Sequence, residues 1–170
     1  GYEFEKSDLV SLIQETLEQL EEAAKQRQVR LVFFRPEEAL PPLLMDRRRI
    51  GLALQNLLDN AIKYSPPGCL VTLHVSAPAE GLIHLQIEDQ GPGIPDGESS
   101  RIFDFLYETP GDQTDRVERS GIGVGLHFCR MTVEAHGGRI WAENRSQGGA
   151  RFTICLPPAS QQSVHHGSKS

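Results

Sequence analysis

The sequence predicts an α/β sandwich: a mixed, mostly antiparallel sheet of about five strands, covered on one face by three helices. Two patterns predict it. Apolar residues recur at helical spacing in three long stretches. Between and after these, short runs alternate apolar and polar residues and close on Gly or Pro turns, as hairpin strands do. A third observation sets the fold apart from a plain sandwich. From Asp89 to Gly125 the chain is rich in Gly, Pro, Asp and Ser, and a loop that long inside a compact domain is functional or mobile.

Gly1 to Lys6 reads as a leader or a short strand. Ser7 is the expected N-cap of the first helix, where Leu9, Leu12, Ile13, Leu17 and Leu20 keep helical spacing as far as about Gln28. Val29 to Phe34 is rich in strand formers, and Pro36, Pro41 and Pro42 then impose a loop. Asp46 caps a second helix to about Tyr64, stopped by Ser65, Pro66, Pro67 and Gly68. Cys69 to Ala77 and Leu82 to Glu88 form a hairpin, with Val71, Leu73 and Val75 on one face of the first strand and Ile83, Leu85 and Ile87 on one face of the second. A third helix is expected from Gly125 to His136, ended by Gly137 and Gly138. Arg139 to Asn144 and Ala150 to Leu156 close the domain as a hairpin around Gly148 and Gly149, and residues 158–170 are expected to be a disordered tail, in part foreign to the native protein.

The chain has 170 residues, enough for one domain with one sizeable core; 38% are hydrophobic and 24% charged, the balance of a soluble globular protein. No apolar run approaches the roughly 18 residues of a membrane span, and no signal-peptide pattern opens the chain. Membrane contact by this domain is not expected, and any anchor of a parent protein lies outside it. The net charge of −6 argues against nucleic acid held on a basic surface. A nucleotide stays open, because its few phosphates can be held by backbone N–H groups and one or two cations. Cys69, Cys129 and Cys155 are far apart, with no C-x-x-C and no histidine at ligand spacing, which predicts reduced thiols in a cytosolic compartment.

Three segments carry chemistry. On the second helix, Asn56, Asn60 and Lys63 stand at i, i+4 and i+7, a polar stripe beside the apolar face of Ile50, Leu54, Leu57, Leu58 and Ala61. Asparagine is a mediocre helix former. Two of them a turn apart are either a solvated face or an oxygen ligand for Mg²⁺ with a lysine beside it for phosphate. Asp89, followed by Gly91, Gly93 and Ile94 at a strand end, can accept a hydrogen bond from a base amino group while the backbone comes close to a flat ring; an ordinary strand-to-turn Asp-x-Gly reads the same way. Gly121, Gly123 and Gly125, followed by Leu126, precede the third helix, where successive N–H groups and the helix N-terminus can turn toward an anion. The spacing is neither a dinucleotide fingerprint nor a Walker loop.

In this order the segments resemble the conserved boxes of the histidine-kinase branch of the Bergerat-fold ATPases. Asn56 to Tyr64 is similar to the N box, Asp89 to Ile94 to the G1 box, Ile102 to Tyr107 to the F box, and Gly121 to Leu126 to the G2 box. Residues from Glu134 through Trp141 to Pro157 are similar to that family's close, so the resemblance covers about residues 4–157. It implies the ATP-binding catalytic domain of a sensor histidine kinase, working with ATP and Mg²⁺. Asn60 would bind the metal, Asn56 would contact phosphate or metal-bound water, Lys63 would neutralise phosphate, and Tyr64 would pack on adenine or ribose. Asp89 would receive the adenine amino group beside Gly91, Gly93 and Ile94. Phe103 of the F box would belong to the site, and Gly121, Gly123 and Gly125 would wrap the phosphates, with Leu126 beside them fixing the start of the following helix. The loop from about Asp96 to Ser120 would be the ATP lid.

The F box departs from the family's pattern, since Leu106, Tyr107 and Glu108 place an acid where a cation is usual. Arg116 and Arg119 are the basic residues left in the lid, and Arg119 is the candidate for the γ-phosphate; both also read as solvated loop arginines. His74, His84, His127 and His136 lack the context of a phosphoacceptor. The histidine that is phosphorylated would therefore lie on dimerisation helices outside this chain, and a response regulator would be served through the parent kinase. The domain by itself is expected to be monomeric and cytoplasmic, whether or not its parent is membrane-anchored. Two competing functions remain at this point: an ATP-hydrolysing relative and a non-catalytic nucleotide-sensing module. The first places a glutamate one turn before the metal-binding asparagine, where this chain has Asn56, an amide that cannot act as a base.

Overall fold

The structure, a computed structural model, describes residues 1–77, 81–107 and 116–159, and the backbone alone over 116–124. Strand β1 (Glu5–Ser7) leads into α1 (Leu9–Gln26), followed by β2 (Arg30–Phe34), β3 (Leu43–Met45), α2 (Arg47–Tyr64), β4 (Leu70–Ser76), β5 (Ile83–Glu88), α3 (Arg116–Ala135), β6 (Arg139–Asn144) and β7 (Ala150–Leu156). The five-stranded sheet has the order β2-β4-β5-β7-β6, parallel between β2 and β4 and antiparallel elsewhere. The α/β sandwich expected from the sequence is the fold observed. Val71, Leu73 and Val75 of β4 and Ile83, Leu85 and Ile87 of β5 are buried beneath the helices, as their alternation requires. The other face carries a Phe34–His74 stack at 4.3 Å and an edge-on His84–Trp141 pair at 6.3 Å.

Three boundaries differ from the sequence reading. The α1 cap is Asp8, whose carboxylate accepts from the Val10 and Ser11 amides, because Ser7 is taken up in β1 opposite Leu43. The proline-rich loop ends in a strand, β3, which pairs with β1 as a separate two-stranded ribbon. The third helix begins at Arg116, not at Gly125.

Asp46 ties the ribbon to the start of α2 and the end of α3. Its Oδ1 accepts from the Arg49 amide and caps α2, its Oδ2 accepts from the Glu3 amide at 2.9 Å, and its own N–H donates to His136 Nε2 at 3.0 Å. His136 Nδ1 in turn lies 2.6 Å from the Thr132 carbonyl, which makes it the protonated nitrogen of a neutral ring. That ring is only 3% exposed and burial lowers its pKa. Burial pushes the Asp46 carboxyl up, but the Glu3 and Arg49 amides and the Arg49 charge outweigh it and hold the group below its ordinary value. His136, just past the end of α3, is thus an internal strut. Gly137, at φ 76, ends α3 in the left-handed conformation, and the Gly138 amide returns to the Val133 carbonyl.

Candidate functional site

The polar stripe of α2 lies beside α3. Asn56, Asn60 and Tyr64 are half-buried and Lys63 is exposed, while Ile50, Leu54, Leu57, Leu58 and Ala61 are buried on the face toward the core. Gly125 of α3 faces Asn56, and a Cβ there would make ordinary contact, 3.4 Å from Asn56 Cγ. One turn on, the Cys129 thiol donates to the Ala53 carbonyl at 3.3 Å. Burial pushes that thiol up to about 12, against the opposing effect of a hydrogen bond with Asn56, so it is an inert packing group. The Asn60 amide makes no hydrogen bond among the described residues. Its oxygen is therefore available to a hard cation.

At the far end of α2 the chain meets Asp89, which is 7% exposed. Asp89 Oδ1 accepts from the Gly91 amide at 2.9 Å and from the Ala150 amide at 3.1 Å. Oδ2 accepts nothing among the described residues, which leaves one lone-pair edge for an outside donor. Burial raises the carboxyl's pKa, and the two amides and the Arg145 charge pull the other way. Gly91 is needed because a Cβ would come 2.6 Å from the Tyr64 carbonyl, which brings the end of α2 against the Asp89 turn. Gly93, at φ 82, is needed twice over: its backbone is left-handed, and a Cβ would stand 2.6 Å from Asn144 Oδ1.

The F box is divided between core and surface. Phe103 is 3% exposed and packs edge-on against Phe152 at 5.9 Å, while its carbonyl lies 3.2 Å from His127 Nδ1. Its side chain thus packs in the core and holds the F-box segment there. Phe105 is 62% exposed with its ring edge-on to His127, and Leu106 and Met131 are exposed as well. Glu108 and the rest of residues 108–115 lie outside the described residues, as do the side chain of Arg119 and the environment of Gly121 and Gly123. The backbone through both glycines is helical. This differs from the open loop the sequence led us to expect, and each glycine weakens that helix by about 1 kcal/mol relative to alanine. Leu126 is buried, but it lies in the middle of α3 and not at its start, where it was expected.

Two site residues have no signal in the sequence. Asn144, at the end of β6, accepts from the Ile94 amide at 2.7 Å and donates to the Ile94 carbonyl at 2.9 Å. Arg145 donates to the Asp89 carbonyl at 2.8 Å and sits 2.9 Å from Glu88 Oε2, which also pairs with Arg151. Gly149, at φ 88, completes the contact, since a Cβ there would overlap the Asp89 carbonyl. Only the Gly148–Gly149 pair hints at this hairpin's importance, and it does so as a turn signal.

The geometry brings the N box, the G1 box and the end of the G2 box together along α2. It offers an amide oxygen, an exposed ammonium and a half-satisfied carboxylate, but among the described residues no cluster of His, Cys, Asp or Glu that could hold a metal alone. This donor set fits Mg²⁺, which takes few protein ligands and shares phosphate oxygens and water.

Comparisons with known proteins agree. The model of the family described as histidine kinase-, DNA gyrase B-, and HSP90-like ATPase matches residues 45–160. The adaptive-response sensory kinase SasA of Synechococcus sp. (strain CC9311) is 40% identical over 153 residues, 90% of this chain and 39% of that protein. The catalytic domain of histidine kinase ThkA superposes with a TM-score of 0.76 at 28% identity, over 91% of this chain and 95% of that one. Full-length ShkA in complex with AMPPNP gives a TM-score of 0.77 at 25% identity, over 92% of this chain and 31% of that one. The chain thus spans 39% of the length of the SasA sequence it matches.

Proposed function

We propose, on the premise that this chain belongs to the histidine kinase-, DNA gyrase B- and HSP90-like ATPase family, that it is the catalytic domain of a sensor histidine kinase. It binds Mg-ATP and presents the γ-phosphoryl to a histidine on a separate helical dimerisation domain. The observation that carries this reading over hydrolysis is Asn56. One turn before Asn60, against Gly125, the site has a neutral amide where activating a water would call for a base. Phosphoryl transfer asks mainly for positioning and charge neutralisation, so the nucleophile can come from elsewhere.

Each residue then has a task. Asp89 Oδ2 accepts the adenine amino group, and Tyr64 packs on the base or ribose. Lys63 sets its ammonium against phosphate charge, Asn56 holds phosphate or metal-bound water, and Asn60 is the protein's oxygen ligand to Mg²⁺. The metal, when bound, neutralises charge on the phosphate oxygens. Gly121, Gly123 and Gly125 give the phosphates access to backbone N–H groups, with Arg119 as the lid cation. The exposed Phe105 and Leu106, near α3, offer apolar surface to the helix that brings the histidine. The parent kinase passes the phosphoryl group to a response regulator, and the domain works in the cytoplasm. Among the described residues no helix is long and apolar enough to cross a membrane.

The test is turnover by the purified chain. It should bind adenine nucleotides, release phosphate slowly and not label itself with the γ-phosphoryl. Fast hydrolysis by the chain alone would transfer the assignment to the ATP-hydrolysing branch.

A further inference from the structure

The turn from Asp89 to Ile94 is an arch with two footings, and both stand on the β6–β7 hairpin. At the first, the Asp89 amide donates to the Ala150 carbonyl at 3.0 Å, and Arg145 donates to the Asp89 carbonyl at 2.8 Å. At the second, the Asn144 amide pairs with both the N–H and the C=O of Ile94. A primary amide is the one short side chain that offers a donor and an acceptor in a single plane, so it pairs with a peptide as a neighbouring strand would. Between the footings runs the segment through Gly91 and Gly93, and the Gly91 amide is a donor that orients Asp89 Oδ1. Gly93 lacks the Cβ that would collide with Asn144.

We infer that Asn144 is a positioning residue for base recognition: through Ile94 and the Gly91 amide it fixes which edge of the Asp89 carboxylate faces the base. The inference rests on the reading of Asp89 as the acceptor of the adenine amino group. Asn144 itself touches no ligand. Its two bonds are solvent-exposed, so their loss frees the arch without opening the core.

The test compares ATP with purine riboside triphosphate, which lacks the exocyclic amino group, by calorimetry on the native chain, Asn144→Ala and Asn144→Asp. The native chain prefers ATP. Asn144→Ala should bind ATP about five- to tenfold more weakly, the weight of one hydrogen bond, and the analogue nearly as before, so that the preference collapses while the thermal midpoint barely moves. Asn144→Asp should fall between, because its carboxylate still accepts from the Ile94 amide but has no donor for the Ile94 carbonyl. It also carries the test should the alanine variant not fold. A preference for ATP left at its native value, with both affinities unchanged or both reduced together, overturns the inference. A native chain that does not prefer ATP removes the reading of Asp89 itself, and this inference with it.

Discussion

Around Asp89, backbone amides, a half-buried arginine and an asparagine clamp account for nearly every polar group, and glycines stand where any side chain would collide. On the polar stripe of the same helix the arrangement is reversed. Asn60 and Lys63 present groups that the protein leaves free or exposed, and the facing helix runs through Gly121, Gly123 and Gly125. On the proposed reading the base end of the site is thus assembled before any ligand arrives, whereas the phosphate end is built from side chains and backbone whose partners must come from outside. A rigid end suits recognition of one base. A weakly helical end suits groups whose charge has to be met by metal and backbone together.

Substitutions on the two sides should therefore fail differently. The largest effect is expected at Asn60. Asn60→Ala should abolish most of the affinity that Mg²⁺ adds, while binding of metal-free nucleotide stays near native. Calorimetry with and without Mg²⁺ decides, and equal losses in both would remove Asn60 from the metal. Next comes Asp89→Asn, which puts an amide where an acceptor-only carboxylate stood and should weaken adenine nucleotides by about 1–3 kcal/mol. The native chain should also lose affinity on acidification earlier than an ordinary aspartate would titrate, because burial raises the Asp89 carboxyl above 3.8 and a proton on the free Oδ2 sets a donor against the base amino group. The asparagine variant should lack that dependence.

A smaller effect separates helix from loop at the phosphate end. Gly123→Ala should stabilise the chain by about 0.5–1 kcal/mol in denaturant unfolding and at the same time weaken ATP, if the phosphates require this segment to unwind. Higher stability with unchanged affinity would mean that the helix binds phosphate as it stands. Smallest, and remote from either end, is the His136 strut. Burial lowers its pKa in the folded chain, so the unfolded chain binds more protons below the ordinary value of 6.5. Stability is then full above that pH and is lost as pH falls through it toward the folded pKa, with the Asp46 contribution lost in turn below 3.8. Thermal unfolding followed between neutral and mildly acidic pH should show this slope in the native chain and a flatter one in His136→Gln.

The sequence was most legible where one physical rule acted alone. Alternation placed β4, β5, β6 and β7 within a residue or so, and the Asp46 cap and the Pro66–Pro67 stop bounded α2. β3 was hidden because three residues after a proline-rich loop are too few for a period to register. The start of α3 was misplaced because glycines were read as loop formers, while the helix there continues through them. Asp89, Asn56 and Asn60 could be singled out because each breaks a local preference: an aspartate among glycines, or amides in mid-helix. Asn144 and Arg145 break none. Both look like polar residues at a strand end, and their roles follow from contacts 50 and 56 residues away along the chain.

The account's central claim is that this chain is the donor half of a phosphoryl transfer whose acceptor lies on another domain. The direct measurement mixes the purified chain, γ-labelled ATP and Mg²⁺ with the helical histidine-bearing domain of its parent, and follows label into protein. The account predicts acid-labile label on that domain's histidine, none on this chain, and loss of labelling with Asn60→Ala. Tight ATP binding with no label on either partner would contradict it and would make the chain a nucleotide sensor rather than a kinase.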